Sequence, residues 1–330
     1  MTNKYIIPAL IFAVTASFAQ DATWIPANAV GAVKVDAKKL SEKPLFAKVG
    51  ERAKSTGFGS FSLSTAPFAS ISNDFSKVLV VLLPGGKGAA ATSSEPSVSV
   101  VTYVSGTFDN AKLTKELEAM PGCKTAVVDG QTLYSVVVKE LGLAAEAPSY
   151  FAFPKKGVFA VADKSDTLLA GLKVVNGKAP AIKRNSKIAV AIAKDFPLVT
   201  VADLKAMGVA GGQAQGIPLE TPSLLAMTLR DKAATEDMIL SLTGVFDSAE
   251  KAEQTADLLS QYKGILGLQF AANPNALPLV KAISALKISA RGDNVVSALT
   301  LDEALLDALA DSAVSALTGA GSAPLVLPAK

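Results

Sequence analysis

Short blocks of apolar and β-branched residues, broken by Gly, Pro, Asp and Asn, dominate the first two thirds of the chain, a pattern of strands joined by tight turns. Ala29 to Val35, Val78 to Leu83 and Val98 to Val104 are such blocks. Thr125 to Val128 and Thr132 to Val138 flank Asp129-Gly130, a pair that favours a two-residue hairpin turn. Tyr150 to Phe153 and Val158 to Ala162 flank Pro154-Lys-Lys-Gly157 in the same way. The period lengthens to that of a helix from Asp36 to about Lys54, from Asn110 to Met120 with Asp109 or Asn110 as N-cap, and from Ser165 to Val175. Ile188 to Ala193 reads as a further strand.

The final third follows a looser version of the same recipe. Ser223 to Leu229 and Met238 to Val245 read as strands, and a helix follows from about Ser248 to Tyr262. Ala285 to Ala290 pairs with Val295 to Leu301. An amphipathic helix from Asp302 to Leu317 then puts Leu305, Leu306, Leu309 and Leu317 on one side and stops at Gly319. Periodicity is lost from Met207 to Pro218, where Gly, Ala and Gln predominate, and from Pro84 to Pro96, which reads as an exposed loop. The fold expected is α+β, with two related lobes, each an antiparallel sheet covered by helices on one face. The lobes are residues 20–206 and 219–330, joined by a Gly-rich linker at 207–218.

The amino terminus is patterned differently. Lys4 precedes an apolar run from Tyr5 to Ala16, and Ser17-Phe18-Ala19 places small residues at the −3 and −1 positions before Gln20. This is the layout of a cleavable secretory signal, residues 1–19, and the run is too short for a span of about 20 apolar residues. Export to the periplasm, the cell surface or the medium is therefore expected. No Cys follows the cleavage point, so a lipoprotein anchor at that position is not expected.

Composition narrows the chemistry. Of the 330 residues 50% are hydrophobic and mean hydropathy is +0.36, which guarantees a large core. Aromatic residues make up only 6%, and the single Trp24 lies beside Pro26, which weakens a lectin reading. Cys123 is the only cysteine, so no intrachain disulfide forms. Histidine is absent, which excludes Ser-His-Asp and Cys-His nucleophile systems and zinc sites of the His or Cys type. Charge is split: Gln20 to Lys205 carries 23 Lys and Arg against 16 Asp and Glu, whereas Ala206 to Lys330 carries 8 against 13. Two oppositely charged parts attract each other, and the basic part also suits an anionic partner.

Each candidate motif has a plainer explanation beside it. Leu83-Pro-Gly-Gly-Lys-Gly88 lacks the spacing and closing Ser/Thr of a phosphate loop. Arg291-Gly292-Asp293 is an adhesion tripeptide that also makes a hairpin turn. Ser284 and Lys287 have the spacing of a Ser-Lys acyl enzyme, but Lys287 opens a strand, which turns the two side chains apart. Paired carboxylates are the catalytic device that composition leaves open, with Asp166 and Asp247 as candidates in corresponding positions of the two lobes. Both lack the Gly of an Asp-Thr/Ser-Gly turn, and both stand where a helix begins, as N-capping residues do. Lys173, Lys178, Lys183, Arg184 and Lys187 form the densest positive run and are the anion-binding candidates. No aromatic residue interleaves them, so a base-stacking platform is not expected. No calcium loop occurs, and no cofactor is called for.

The passage Val104-Ser-Gly-Thr-Phe-Asp-Asn-Ala-Lys-Leu113, the Asp129-Gly130 hairpin and Phe159-Ala-Val-Ala-Asp163 before a helix resemble the secreted two-lobed α+β proteins of bacteria with complex envelopes. More narrowly, the chain is similar to a mucin-degrading aspartic-type protease of mucus-dwelling gut bacteria, which implies mucin glycoprotein as substrate and carboxylates as catalysts. Three readings stand, in this order. The first is a secreted envelope or cell-surface protein that binds an extracellular partner. The second is a carboxylate-dependent protease acting on mucin. The third is a binder of an anionic polymer, DNA included, through the basic lobe.

Overall fold

The computed structural model describes residues 22–43, 74–85, 98–137, 148–209, 220–232, 235–271 and 277–307. The signal segment 1–19, most of the linker and of the loop after Pro84, and the last helix beyond Asp307 lie outside the described residues. After a 3-10 turn (Ala22–Trp24) come β1 (Gly31–Asp36), α1 (Ala37–Ser41), β2 (Phe75–Pro84), β3 (Val98–Gly106), α2 (Asn110–Glu118), β4 (Lys124–Val128), β5 (Gln131–Val136), β6 (Ser149–Lys155) and β7 (Val158–Ala162). They are followed by α3 (Ser165–Val175), α4 (Lys187–Ile192), β8 (Leu198–Asp203), β9 (Leu224–Asp231), β10 (Met238–Val245), α5 (Ala249–Ala271), α6 (Leu277–Ala285), β11 (Lys287–Arg291) and β12 (Asn294–Leu301).

The α+β class is as expected, but the two sheets are one. Twelve strands run in the order β11-β12-β10-β9-β8-β1-β2-β3-β7-β6-β5-β4, every pair antiparallel. The seam falls where the linker was expected: β9 returns beside β8 with Leu198 opposite Leu229 and Asp203 opposite Leu224. Pairing there satisfies two rows of backbone groups that separate sheets would leave as open edges.

The strand order is palindromic about the β1–β8 pair. Stepping outward, β2 answers β9, β3 answers β10, β7 answers β12 and β6 answers β11, and only the β5–β4 hairpin lacks a counterpart. Sequence follows the same symmetry. Val104-Ser-Gly-Thr-Phe-Asp-Asn-Ala111 at the end of β3 matches Leu242-Thr-Gly-Val-Phe-Asp-Ser-Ala249 at the end of β10. Val35-Asp-Ala-Lys-Lys-Leu40 matches Ala202-Asp-Leu-Lys-Ala-Met207. Local structure agrees: Asp36 accepts a hydrogen bond from the Lys39 amide (3.1 Å) and Asp203 from the Ala206 amide (2.8 Å). The two lobes expected from sequence are not separate: the matching segments fall in the two halves of one sheet, disposed about a pseudo-twofold axis between β1 and β8.

Helices cover both faces, not one. On the first face Leu79, Val81, Val101, Tyr103, Ala160, Val199 and Val201 lie under α3, α4 and the 3-10 turn. On the second, Val33, Val35, Val78, Val80, Val104 and Phe159 lie under Leu40 of α1 and Leu113 and Leu117 of α2. A smaller cluster on that second face sets Ala252 and Ala256 of α5 against Phe246 and Val295. Burial of alternate residues on both sides explains why the central strands read as nearly continuous apolar runs.

Ile188 to Ala193 is not a strand. It is α4, capped by Ser186, whose hydroxyl accepts from the Ala189 amide at 3.2 Å. Ile188, Ala189 and Ile192 face the core at helical spacing while Val190 is 52% exposed. Strand β8 and helix α6 were not foreseen.

Tyr103, 1% exposed, meets Trp24 edge-on at 5.7 Å between ring centroids, and among the described residues its hydroxyl has no hydrogen-bond partner. The hydroxyl fits under α3 only because residue 171 is Gly: a Cβ there would lie 2.3 Å from the oxygen. Gly171→Ala is expected to lower stability by roughly 1–3 kcal/mol, as overpacking does. Tyr103→Phe removes an unsatisfied buried hydroxyl and is expected to be neutral or stabilising. The double variant should recover most of the loss in urea unfolding; additive effects would show that the two groups do not touch.

Candidate functional site

The structure does not bring Asp166 and Asp247 together. Asp166 is exposed in the first turn of α3, after β7, and Asp247 is exposed just before α5, after β10. Strands β7 and β10 stand six positions apart, about 29 Å along the sheet at about 4.8 Å per strand. Two carboxylates share a proton only in direct contact. Nor are the two equivalent: the repeat aligns Asp247 with Asp109, which accepts from the Ala111 amide at 2.9 Å at the start of α2. Capping at α5 falls to Ser248, whose hydroxyl accepts from the Lys251 amide at 3.3 Å.

The basic run is brought together on the first face. Lys173 ends α3, Lys187 opens α4, and Lys178, Lys183 and Arg184 lie on the segment between, all five exposed. That segment is pinned by backbone hydrogen bonds from Ile182 to Ile25 (2.7 Å), from Ala27 to Pro180 (3.1 Å) and from Lys178 to Lys173 (2.7 Å). Ile182, 9% exposed, anchors it in the core. Lys173 is neutralised by Asp129 at 3.0 Å. Among the described residues Lys178, Lys183, Arg184 and Lys187 form no ion pair. Lys173, Lys178 and Asn176 rim an open dent of about 210 Å³, solvent included, floored by Leu169 and Leu172. It is a shallow surface for a ligand that lies across it.

Of the other sequence candidates, Arg291, Gly292 and Asp293 form the exposed tip of the β11–β12 hairpin, where Arg291 pairs with Asn294 and Gly292 takes φ +58°. Ser284 lies in α6 and Lys287 in β11, as the spacing argument required. Cys123 is half-buried, and burial with the nearby charge of Glu118 pushes its thiol pKa up, away from the reactive thiolate. No cluster of Asp, Glu, Cys or His able to hold a metal is found among the described residues, and no described helix is long and apolar enough to cross a membrane.

Sequence reading passed over Lys34. It interrupts the apolar block Gly31-Ala-Val-Lys-Val-Asp36 and is 7% exposed, with its ammonium donating to the carbonyl of Lys194 just past α4. Lys39, Lys77, Asp36 and Asp195 surround it, and Lys39 pairs with Asp195. Burial pushes the Lys34 pKa below its ordinary value of 10.5, against the pull of Asp195. The only signal in the sequence is a lone Lys at an inward position of a strand.

The shift has a definite sign. Between the lowered folded value and 10.5 the unfolded chain holds the Lys34 proton and the folded chain does not, so stability rises with pH through that window. Relative to Lys34→Met, the native protein should therefore gain stability as pH is raised from about 8 to about 10. Paired denaturant titrations check this; a constant difference would place the amine in water.

No family model matches the chain, and no curated protein matches it. Solved structures do. Crystal form III of the Treponema protein TP0453 superposes with a TM-score of 0.50 at 12% identity, covering 90% of this chain and 98% of that one. Crystal form IV gives 0.47 at 11% identity over 90% and 97% of the two chains, and crystal form I gives 0.44 at 12% over 91% and 99%. The first of these shows a shared fold. At such identity it transfers no site or partner.

Proposed function

We propose that the chain is an exported binding protein of the envelope or cell surface, whose partner is an anionic extracellular polymer met through the connection between α3 and α4. The observation that carries the reading is the set of four exposed cations, Lys178, Lys183, Arg184 and Lys187, which form no ion pair among the described residues and sit on a segment fixed by backbone hydrogen bonds. A pinned backbone adds no loop-ordering cost when an anion arrives, and the cost that remains is the rotamer freedom of the Lys and Arg side chains. The resemblance drawn from the sequence implies a mucin-type glycan, sialylated or sulfated, and that is the polymer proposed. The separation of Asp166 from Asp247 lends the protease reading no support, and the lack of interleaved aromatic residues favours a glycan over nucleic acid.

Binding of sulfated mucin glycans, followed by calorimetry, is expected to weaken steeply with salt, because exposed charges are screened within about 10 Å at 0.1 M. The triple variant Lys183→Gln, Arg184→Gln, Lys187→Gln is expected to bind about tenfold more weakly at low salt, from a few tenths to 1 kcal/mol per exposed charge. Affinity indifferent to both salt and the substitutions would overturn the reading. Export predicts in addition that the secreted protein begins at Gln20 by intact mass; recovery of an unprocessed chain inside the cell would refute it.

A further inference from the structure

The pseudo-twofold axis is broken in one respect. In the first half, α3 follows β7 and lies on the first face, burying Val101, Tyr103, Ala160 and Ala162. In the second half, the helix after β12 is capped by Asp302, which accepts from the Leu305 amide at 2.7 Å, and sends Leu305 and Leu306 to the opposite face. Helix α5 also packs there, against Ile288, Ala290 and Val295. Leu224, Ala226 and Val245, at the ends of β9 and β10, still join the first-face core, but among the described residues no helix packs extensively on the rest of the first face of β9, β10, β12 and β11.

Two positions on that face are more polar than their counterparts, while Ile239 and Ala298 stay apolar as Val101 and Ala160 are. The repeat places Ser241 where the first half has Tyr103, and Thr300 where it has Ala162. Alternation and register put Thr228 and Arg230 of β9, Ser241 and Thr243 of β10, and Lys287 and Arg291 of β11 on the same side. The three cations are exposed and the hydroxyl residues half-buried. Every carboxylate of these strands lies elsewhere: Asp231 points to the other face and pairs with Lys43 at 2.8 Å. The strands themselves put Arg230, Lys287 and Arg291 as the charged residues on this face, and at its edge Lys232 and Asp237 pair with each other at 2.8 Å. Lys287 and Arg291 stand about 13 Å apart along β11, and the face spans about 14 Å from β11 to β9.

We infer that this uncovered face is a second binding surface, independent of the α3–α4 cluster, and that its ligand is a sulfated glycan chain lying flat across β9 to β11. Arg and Lys at the rim meet sulfate groups, and Ser and Thr hydroxyls exchange hydrogen bonds with sugar hydroxyls. No aromatic ring faces this side, so neither base stacking nor the usual platform for a neutral sugar is offered. The inference goes beyond the proposed function in naming a different site, and it stands or falls on different residues.

Calorimetry with a size-defined, fully sulfated heparin oligosaccharide and its desulfated form tests it on the full mature protein. Arg230→Gln, Lys287→Gln, Arg291→Gln is expected to remove one class of sites and to leave the class abolished by substitution at Lys183, Arg184 and Lys187. Ser241→Glu, a single change on the open face, is expected to lower affinity at this class about tenfold and to leave the melting temperature unchanged, which separates a binding effect from misfolding. Loss of all binding with the α3–α4 variant alone would overturn the second site and leave the proposed function standing; loss with the face variants alone would do the reverse. Equal binding of the desulfated oligosaccharide, or tighter binding of single-stranded DNA at this face, would overturn the ligand assignment.

Discussion

Everything in this molecule hangs on the pairing of β1 with β8. Five residues on each side, Gly31 opposite Ala202 through Val35 opposite Leu198, join two halves of the chain that begin far apart in sequence. Closing so long a loop is entropically costly, and the cost is offset by burial on both faces at once. Ala32, Val199 and Val201 go under α4 and its neighbours, while Val33 and Val35 join the opposite core. Gly31 is needed at the seam: a Cβ there would come within 2.9 Å of the Val201 carbonyl. With the pair in place, each later hairpin has a template to add to, and the palindromic order follows.

Much of the fold could be read from residue patterns because strand alternation and turn chemistry are local. Asp129-Gly130 makes its hairpin with positive φ at both residues, and Pro154 to Gly157 turns β6 into β7 with Gly157 at φ +63°. The failures were of two kinds. Ile188 to Ala193 looked like a strand by its branched residues, and the deciding influence was the Ser186 cap together with the apolar face turned toward the core. The single sheet could not be read at all, since a Gly-rich stretch is compatible with a linker between domains and with a connection between adjacent strands. The repeat existed in the sequence as Gly-x-Phe-Asp at Gly106 and Gly244, but too faintly to set its register without the strand order. That misregister is what made Asp166 and Asp247 look like partners.

For the candidate site the legible part was charge and the illegible part was facing. Lys173 to Lys187 stood out as a run because its members are close in sequence. Arg230, Lys287 and Arg291 are scattered over a net acidic stretch, and only the sheet register gathers them. Lys34 was hidden for the opposite reason, being one polar residue in an apolar block whose side chain reaches the end of a helix some 160 residues away. Net charge per segment was therefore a poor guide to the field a partner meets. What counts is which face of the sheet each side chain takes.

The two outermost strands have a bearing on how the protein behaves in a crowded solution. Among the described residues the twelve-stranded sheet has two borders that pair with no further strand. Here both borders are short, Lys124–Val128 and Lys287–Arg291, and each starts with a lysine. A brief, positively charged border repels its own copy and gives an incoming strand few backbone bonds to make. Lateral polymerisation into fibres is thereby discouraged.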